Sequence, residues 1–131
     1  MLRIVARVLG IVVAVLAIAG LFMEGHLFGL MNVDIAIDLL RVILAAALLY
    51  VGFADTSAGT LRAVVIVVGA LYVVMGLLAF ADRTLFGLLP SGLTDFDIGF
   101  HLVVGVGALA LVFLPVSRGS EATTDGTARA R

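Results

Sequence analysis

The sequence predicts an all-α fold, an integral membrane four-helix bundle built from two parallel two-helix repeats. Composition is the first observation: 63% of the 131 residues are apolar and 13% are charged, and the mean hydropathy is +1.30. Soluble domains average about 45–50% apolar and about 25% charged residues. The other two observations are the grouping of apolar residues into four long stretches and the recurrence of short segments in both halves.

The four predicted spans are residues 5–23, 33–53, 63–81 and 98–116, within one transmembrane domain, 1–116. Each is long enough to cross a hydrocarbon core of about 30 Å. The connectors are short and polar and contain glycine, which favours turns. Residues 117–131 are polar and charged and lack the apolar residues of a core, which predicts a disordered cytoplasmic tail.

The first span has an alternative interpretation as a signal peptide. Arg3 and Arg7 precede its apolar run, and residues 17–19, Ala-Ile-Ala, fit a cleavage site. The apolar run continues beyond that site, however, and features of residues 2–10 recur in residues 61–69. We therefore expect a retained helix.

Small residues on two spans predict close helix packing. Ala6, Gly10, Ala14 and Ala17 fall on one face of the first span, and Gly105 lies on the polar face of the fourth. Such faces let helix backbones approach in membranes. The sequence leaves open whether the first face meets the fourth span or another protomer.

The internal repeat is clearest where Leu27-Phe28-Gly29-Leu30 recurs as residues 85–88. After an insertion at residues 90–94 the register resumes, so that Asp38 aligns with His101. Each repeat contributes two spans, an even number, so both have the same orientation about an axis along the membrane normal. Aligned residues are then expected at equal depth.

Arginine placement predicts the orientation of the bundle. Arg3, Arg7 and Arg62, with the arginines of the C-terminal tail, fall on one side of a four-span arrangement, whereas Arg83 falls on the other. Arginine-rich flanks stay in the cytoplasm. We therefore expect a multi-pass protein of the bacterial cytoplasmic membrane with both termini cytoplasmic.

Ionisable residues in the second span form a stripe. Asp34, Asp38 and Arg41 follow i, i+4, i+7 spacing, which places them on one helical face. A charge inside the bilayer costs about 2.5–3.5 kcal/mol, which an Asp38–Arg41 ion pair offsets. The alternatives are a proton or ion site and simple snorkelling to the interface.

The fourth span opens with Asp97 and His101 at i, i+4. Thr94 and Asp97 fit a capping box, Asn32 is expected to cap the second span, and capping is also the default role of Asp34. For His101 we expect an interior hydrogen bond and a contact with Asp38. The predicted intramembrane polar cluster is Asp34, Asp38, Arg41, Asp97 and His101.

Several classes of function are not supported by the sequence. The chain has no cysteine and a net charge of −1, so it predicts no cysteine-ligated cluster and no nucleic-acid partner. His26, His101, Glu24 and Asp38 lack a metal-ligand spacing. We predict no catalytic residue, metal or cofactor. The expected partners are the lipid bilayer and either a second copy or a larger membrane complex.

The second half of the chain resembles a known family. Residues 69–72, Gly-Ala-Leu-Tyr, residues 85–90, Asp97 and the segment from His101 to Gly105 are similar to the bacterial domain-of-unknown-function family 4383. The resemblance covers about half of the chain, and its His-Leu-x-x-Gly element is moderately specific. It implies a small four-helix inner-membrane protein without established activity. The family usually has a histidine in its first half, where this chain has Asp38.

These observations favour a non-enzymatic small membrane protein that acts as a structural or interaction component. Two alternatives remain open. One is a small proton-coupled transporter or channel that uses the Asp/Arg/His cluster. The other is an accessory subunit of a membrane oxidoreductase.

Overall fold

Residues 1–114 are described by a computed structural model, and within them the chain forms four α-helices and one short β-hairpin. The helices are α1 (Leu2–Gly20), α2 (Ile35–Phe53), α3 (Ala58–Ala81) and α4 (Asp95–Phe113), and β1 (His26–Leu27) pairs antiparallel with β2 (Met31–Asn32). All four helices are long and apolar enough to cross a membrane. The all-α prediction is confirmed. The predicted tail and the last residues of the fourth predicted span lie outside the described residues.

Helix limits differ from the predicted spans where a polar cap extends a helix into a predicted connector or a turn begins within an apolar stretch. α3 begins at Ala58 instead of residue 63, since Ser57 Oγ accepts a hydrogen bond from Thr60 N at 3.0 Å. α1 ends at Gly20 instead of residue 23, and the chain then turns, with Met23 N donating to Gly20 O at 3.1 Å. Hydropathy locates the apolar middle of each helix but not its polar cap.

The helices are arranged as two hairpins, in which α1 packs along α2 and α3 packs along α4. A smaller contact between α2 and α3 joins the hairpins. Residues 21–34 and 82–94 connect the helices of each hairpin, and we call the end of the bundle that they form the connector end. The opposite end holds the start of α1 and residues 54–57, and we call it the arginine end because Arg3 and Arg7 lie there. Arg7 Nε donates to Gly52 O at 2.6 Å, and Arg3 donates to Ala54 O, so both arginines satisfy carbonyls where α2 ends.

Glycines set the closest helix approaches. A Cβ on Gly10 would lie 3.0 Å from Leu49 Cδ2 of α2, and a Cβ on Gly105 would lie 2.8 Å from Gly69 O of α3. The small-residue face of α1 therefore meets α2, its own hairpin partner, which was not among the alternatives that the sequence left open. On this face Ala6 is buried with Gly10, whereas Ala14 is half-buried.

Apolar side chains fill the interior and also cover much of the outside. The main core includes Val13, Leu48, Val65, Val68 and Tyr72. The exposed large apolar residues include Ile4, Val15, Ile43, Val67 and Val103. A surface of this kind is unusual for a protein that faces only water, since extended exposed apolar patches mark membrane or protein contacts.

Candidate functional site

A group of polar side chains is buried beneath the connector end, between the two hairpins. Its members are Asn32, Asp38, Arg41, Asp97 and His101, which come from β2, α2 and α4. We call this group the polar cluster. The sequence placed four of these residues in one site, and the structure brings those four close together. Asp34 lies at the edge of the cluster instead, and Asn32 is inside it.

Arg41 is the centre of the polar cluster. Its Nη1 lies 2.8 Å from Asp38 Oδ1 and 2.8 Å from Asn32 O, and both oxygens accept a hydrogen bond. Its Nη2 lies 3.8 Å from Asp97 Oδ1, within ion-pair distance but beyond hydrogen-bond reach. The Asp38–Arg41 pair that the spacing predicted is present. Arg41 therefore joins its own helix to the first connector and faces the second hairpin.

Asp97 has two structural roles on one carboxylate oxygen. Its Oδ2 accepts from Thr94 N at 2.9 Å, while Asp97 N donates to Thr94 Oγ1 at 3.1 Å, which completes the predicted capping box. The same Oδ2 accepts from Asn32 N at 2.9 Å, across the boundary between the hairpins. The carboxylate that caps α4 thus also binds the first hairpin.

His101 makes the interior hydrogen bond that was expected, but with a different region of the cluster. Its Nδ1 lies 2.6 Å from Asp97 O, and since a carbonyl only accepts, Nδ1 carries a proton. The ring is 5.0 Å from the ring of Tyr72, centroid to centroid. Within residues 1–114, no hydrogen bond or ion pair joins His101 to Asp38, so the expected contact with the Asp38 side of the bundle is not a direct polar bond. Asp97 lies one turn before His101 on α4 and takes the bond instead.

Asp34 is outside the helical stripe because α2 begins after it. Its carboxylate accepts from Ser91 N at 2.8 Å, from Ser91 Oγ at 2.7 Å and from Asn32 Nδ2 at 2.8 Å. Burial raises the pKa of this carboxyl, but the hydrogen bonds from Asn32 and Ser91 outweigh it and hold the pKa below its ordinary value of 3.8. Asp34 occupies the N-cap position of α2 without a side-chain cap bond.

Asn32 does not cap α2, which corrects a sequence prediction. Its Oδ1 accepts from Asp34 N at 2.9 Å, a turn that precedes the helix, and its Nδ2 donates to Gly92 O at 2.9 Å. Asn32 therefore bonds to the second connector through its side chain and to Asp97 through its backbone. Sequence reasoning missed this bridging role, although the alignment of Asp34 with Asp97 gave a signal that both connectors carry equivalent acceptors.

The two connectors are held together by reciprocal bonds. Asp34, at the start of α2, accepts from Ser91 in the second connector. Asp97, in the first turn of α4, accepts from Asn32 in the first connector. Each hairpin thus supplies an aspartate that binds the connector of the other, and the register that aligns Asp38 with His101 also aligns these two aspartates. These hydrogen bonds connect the two hairpins at one end of the bundle, and we call this region, formed by Asn32, Asp34, Ser91 and Asp97, the joint.

The charges of the polar cluster do not balance when both carboxyls are ionised. Asp38 and Asp97 face a single guanidinium, that of Arg41. Within the described residues, Arg41 Nη2 and Asp97 Oδ1 are buried and have no hydrogen-bond partner. A buried charge without a full set of partners is costly. The cluster therefore has unused hydrogen-bonding capacity between α2 and α4.

Comparison of the chain with protein-family models, curated proteins and solved structures found no match. Within residues 1–114, no group of three or more His, Cys, Asp or Glu side chains is placed to hold a metal ion. The geometry of the polar cluster must therefore carry the functional argument.

Proposed function

We propose that this chain is a non-enzymatic, multi-pass protein of the bacterial cytoplasmic membrane that serves as a structural or interaction component. The observation that carries the proposal is the joint at the connector end, where hydrogen bonds connect the two hairpins. Asn32 donates to Asp97 and to Gly92 O across the boundary between the hairpins, and Ser91 donates to Asp34 across the same boundary. Arg41 faces Asp97 of the second hairpin at ion-pair distance. Polar side chains in membranes act as such fasteners when they pair inside the protein.

We also propose that the two hairpins are parallel repeats and that the chain is related to domain-of-unknown-function family 4383, which its second half resembles. The reciprocal bonds of Asp34 and Asp97 support the repeat, because aligned residues make equivalent cross-connections. Gly10 and Gly69 also align, and a Cβ on either would lie close to a leucine of the partner helix in its hairpin, 3.0 Å from Leu49 and 3.1 Å from Leu109. Superposition of an experimental structure's two hairpins tests the repeat.

The proposed topology places both termini in the cytoplasm and the connector end outside. Arg3, Arg7 and Arg62 are in the terminal or middle flanks, whereas Arg83 is the single arginine among the described residues of the connector end. The positive-inside rule favours that orientation. Reporter fusions at the C-terminus and after residue 30 are expected to give opposite signals, and a periplasmic C-terminus would contradict the topology.

An interaction role has a candidate surface on α1 and α4. Ile4, Val8 and Val12 of α1 and Phe100 and Val104 of α4 line an apolar groove. Purification in a mild detergent, followed by mass measurement, is expected to give a species heavier than one protomer. Val8→Trp should reduce that mass, whereas Val103→Trp, on an exposed part of α4 outside the groove, should not. A monomer at every concentration, with no co-purified protein, would contradict the proposal.

A second candidate, proton-coupled transport, is favoured by the unbalanced charge of the polar cluster. One proton on Asp97, Asp38 or His101 would neutralise the site, and Tyr72 and Arg41 also face it. A recess lined by Glu24, Asp34 and Ser91 lies at the connector end, and its Asp34 accepts a hydrogen bond from Asn32 of the polar cluster.

Proton flux in liposomes tests this second candidate. Asp97→Asn should abolish flux, while Asp95→Asn, which changes an exposed carboxyl on the same helix, should leave it unchanged. Wild-type liposomes without flux would exclude the candidate. The third possibility, an accessory subunit of a membrane oxidoreductase, is tested by co-purification with redox activity in the mild-detergent experiment.

A further inference from the structure

The two Leu-Phe-Gly-Leu segments, residues 27–30 and 85–88, adopt a conformation that phenylalanine rarely accepts. Phe28 has φ 51° and Gly29 φ 72°, and Phe86 has φ 62° and Gly87 φ 87°. Left-handed backbone is unfavourable for a side chain with a Cβ, and outliers of this kind are concentrated at functional positions. We call these segments the Phe-Gly turns. Both turns therefore place a phenylalanine in an unfavourable left-handed backbone conformation.

Burial follows the same order in both Phe-Gly turns. The first leucines, Leu27 and Leu85, are each 9% exposed and fix the turns to the core. Phe28 is 83% exposed and Phe86 is 77% exposed. The last leucines, Leu30 and Leu88, are exposed as well. Each turn thus projects one aromatic ring and one leucine away from the protein.

Local hydrogen bonds hold the turns in this shape. In the second turn, Asp82 Oδ1 accepts from Thr84 Oγ1 at 2.7 Å and from Thr84 N at 2.9 Å, and Asp82 Oδ2 accepts from Phe86 N at 2.9 Å. These bonds lower the pKa of Asp82, so the carboxylate is the form that holds the turn. The first turn is closed by the β1–β2 pairing and by Leu30 N, which donates to Leu27 O at 3.0 Å. The exposed rings are therefore presented by a preorganised backbone.

The surroundings of the turns indicate what covers them. Both lie at the connector end, and exposed apolar residues of the adjacent helix ends surround that end: Phe22, Ile35, Phe80 and Phe96. This apolar band is continuous with the outer faces of the helices, which contact lipid in the proposed membrane protein. An apolar side chain beside a span end is stabilised when it enters the boundary between headgroups and acyl chains.

We propose that the Phe-Gly turns are a matched pair of lipid anchors, in which Phe28 with Leu30 and Phe86 with Leu88 insert into the headgroup–acyl boundary of the leaflet at the connector end. Two anchors, one on each hairpin, fix the height of that end relative to the bilayer and hence the depth of the polar cluster beneath it. This inference rests on the proposed membrane insertion.

Single-tryptophan fluorescence gives a direct test, because the natural chain contains no tryptophan. Phe28→Trp and Phe86→Trp, the two turn reporters, are reconstituted separately into phosphatidylcholine–phosphatidylglycerol vesicles that carry nitroxide quenchers at a shallow or a deep acyl position. Two control variants calibrate the scale. Val103→Trp is on the exposed face at the middle of α4, and Asp55→Trp is in the connector at the arginine end.

The expected depth of the indole ring in both turn reporters is about 5–10 Å below the headgroups. Both reporters should be quenched about twofold more by the shallow label than by the deep one, as interfacial burial predicts. The Val103 reporter should show the opposite order, and the Asp55 reporter should respond to aqueous iodide alone.

Each other outcome overturns a defined part of the inference. Iodide quenching of both turn reporters, with lipid quenching of the Val103 reporter, would reject the anchors and leave membrane insertion intact. Loss of lipid quenching in the Val103 reporter would reject insertion itself. Lipid quenching of the turn reporters that disappears as the protein-to-lipid ratio rises would reject the anchors and assign the turns to contacts between copies of this chain.

Discussion

Gly20→Ala in α1 is expected to disrupt the polar cluster, because the new methyl group would clash with Asp38 of the adjacent helix α2. Gly20 is the last residue of α1 and is buried, and a Cβ there would overlap all three atoms of the Asp38 carboxylate group. The carboxylate must then move away from Arg41, whose Nη1 it contacts at 2.8 Å. Overpacking costs about 1–3 kcal/mol, and complete loss of a buried ion-pair partner costs about 3–5 kcal/mol. Since the pair is displaced and not deleted, we expect the free energy of unfolding to fall by about 2–4 kcal/mol.

The measurement is unfolding by denaturing detergent in mixed micelles, with Gly107→Ala as the matched control. A Cβ on Gly107 meets nothing within 4 Å, so this change should be neutral or slightly stabilising. In an Asp38→Ala background, Gly20→Ala should lose most of its effect, because the group that it displaces is gone. An equal loss in both backgrounds would refute the steric argument, and so would an equal loss for Gly20→Ala and Gly107→Ala.

Three further predictions concern the charges of the joint. Arg41→Leu should lower the free energy of unfolding by about 3–5 kcal/mol, and adding Asp38→Leu should restore only part of it, because a second carboxylate still faces the site; full recovery would contradict the three-residue network. The pKa of Asp34 is below 3.8 in the folded protein, so its hydrogen bonds stabilise the fold fully above the unfolded pKa, and this stabilisation is lost as pH falls through the folded pKa. Ser91→Ala should weaken this acid dependence of the thermal unfolding temperature. An unchanged pH profile would exclude a contribution from the Ser91 Oγ–Asp34 bond. In double-mutant cycles, Asp38→Asn should couple less strongly with His101→Gln than with Arg41→Leu, because Arg41 and not His101 bonds to the Asp38 carboxylate. Equal or stronger coupling with His101→Gln would indicate a direct contact between Asp38 and His101.

Composition and pattern predicted the helical fold and much of the polar cluster. The hydropathy of four long stretches is enough to place four helices. A continuous apolar segment of about 20 residues can satisfy its backbone N–H and C=O groups within itself only as an α-helix. The i, i+3 relation of Asp38 and Arg41 is a helix-local distance, so the ion pair followed from spacing alone. The same holds for the capping box of Thr94 and Asp97.

The predictions that differ from the structure concern tertiary contacts, which a linear sequence pattern does not encode. The i, i+4, i+7 stripe assumed that Asp34 is helical, whereas α2 begins at Ile35 and the Asp34 carboxylate turns to Ser91 in the distant connector. Equal depth in a repeat suggested a contact between Asp38 and His101, but depth does not fix rotation about a helix axis. Gly20 illustrates the same point, since nothing in the sequence links this glycine to a carboxylate eighteen residues later.

The two hairpins differ in how deeply each buries its aspartate at the joint. Asp34 and Asp97 occupy aligned positions and both accept bonds from the opposite connector. Asp34 is half-buried and its partners satisfy it, whereas Asp97 is fully buried and leaves one oxygen facing Arg41. Arg41 of the first hairpin therefore faces two buried carboxylates, Asp38 on its own helix and Asp97 on the second hairpin. The first hairpin supplies the positive charge that faces Asp97 of the second, so the polar cluster favours the pairing of this first half with this second half.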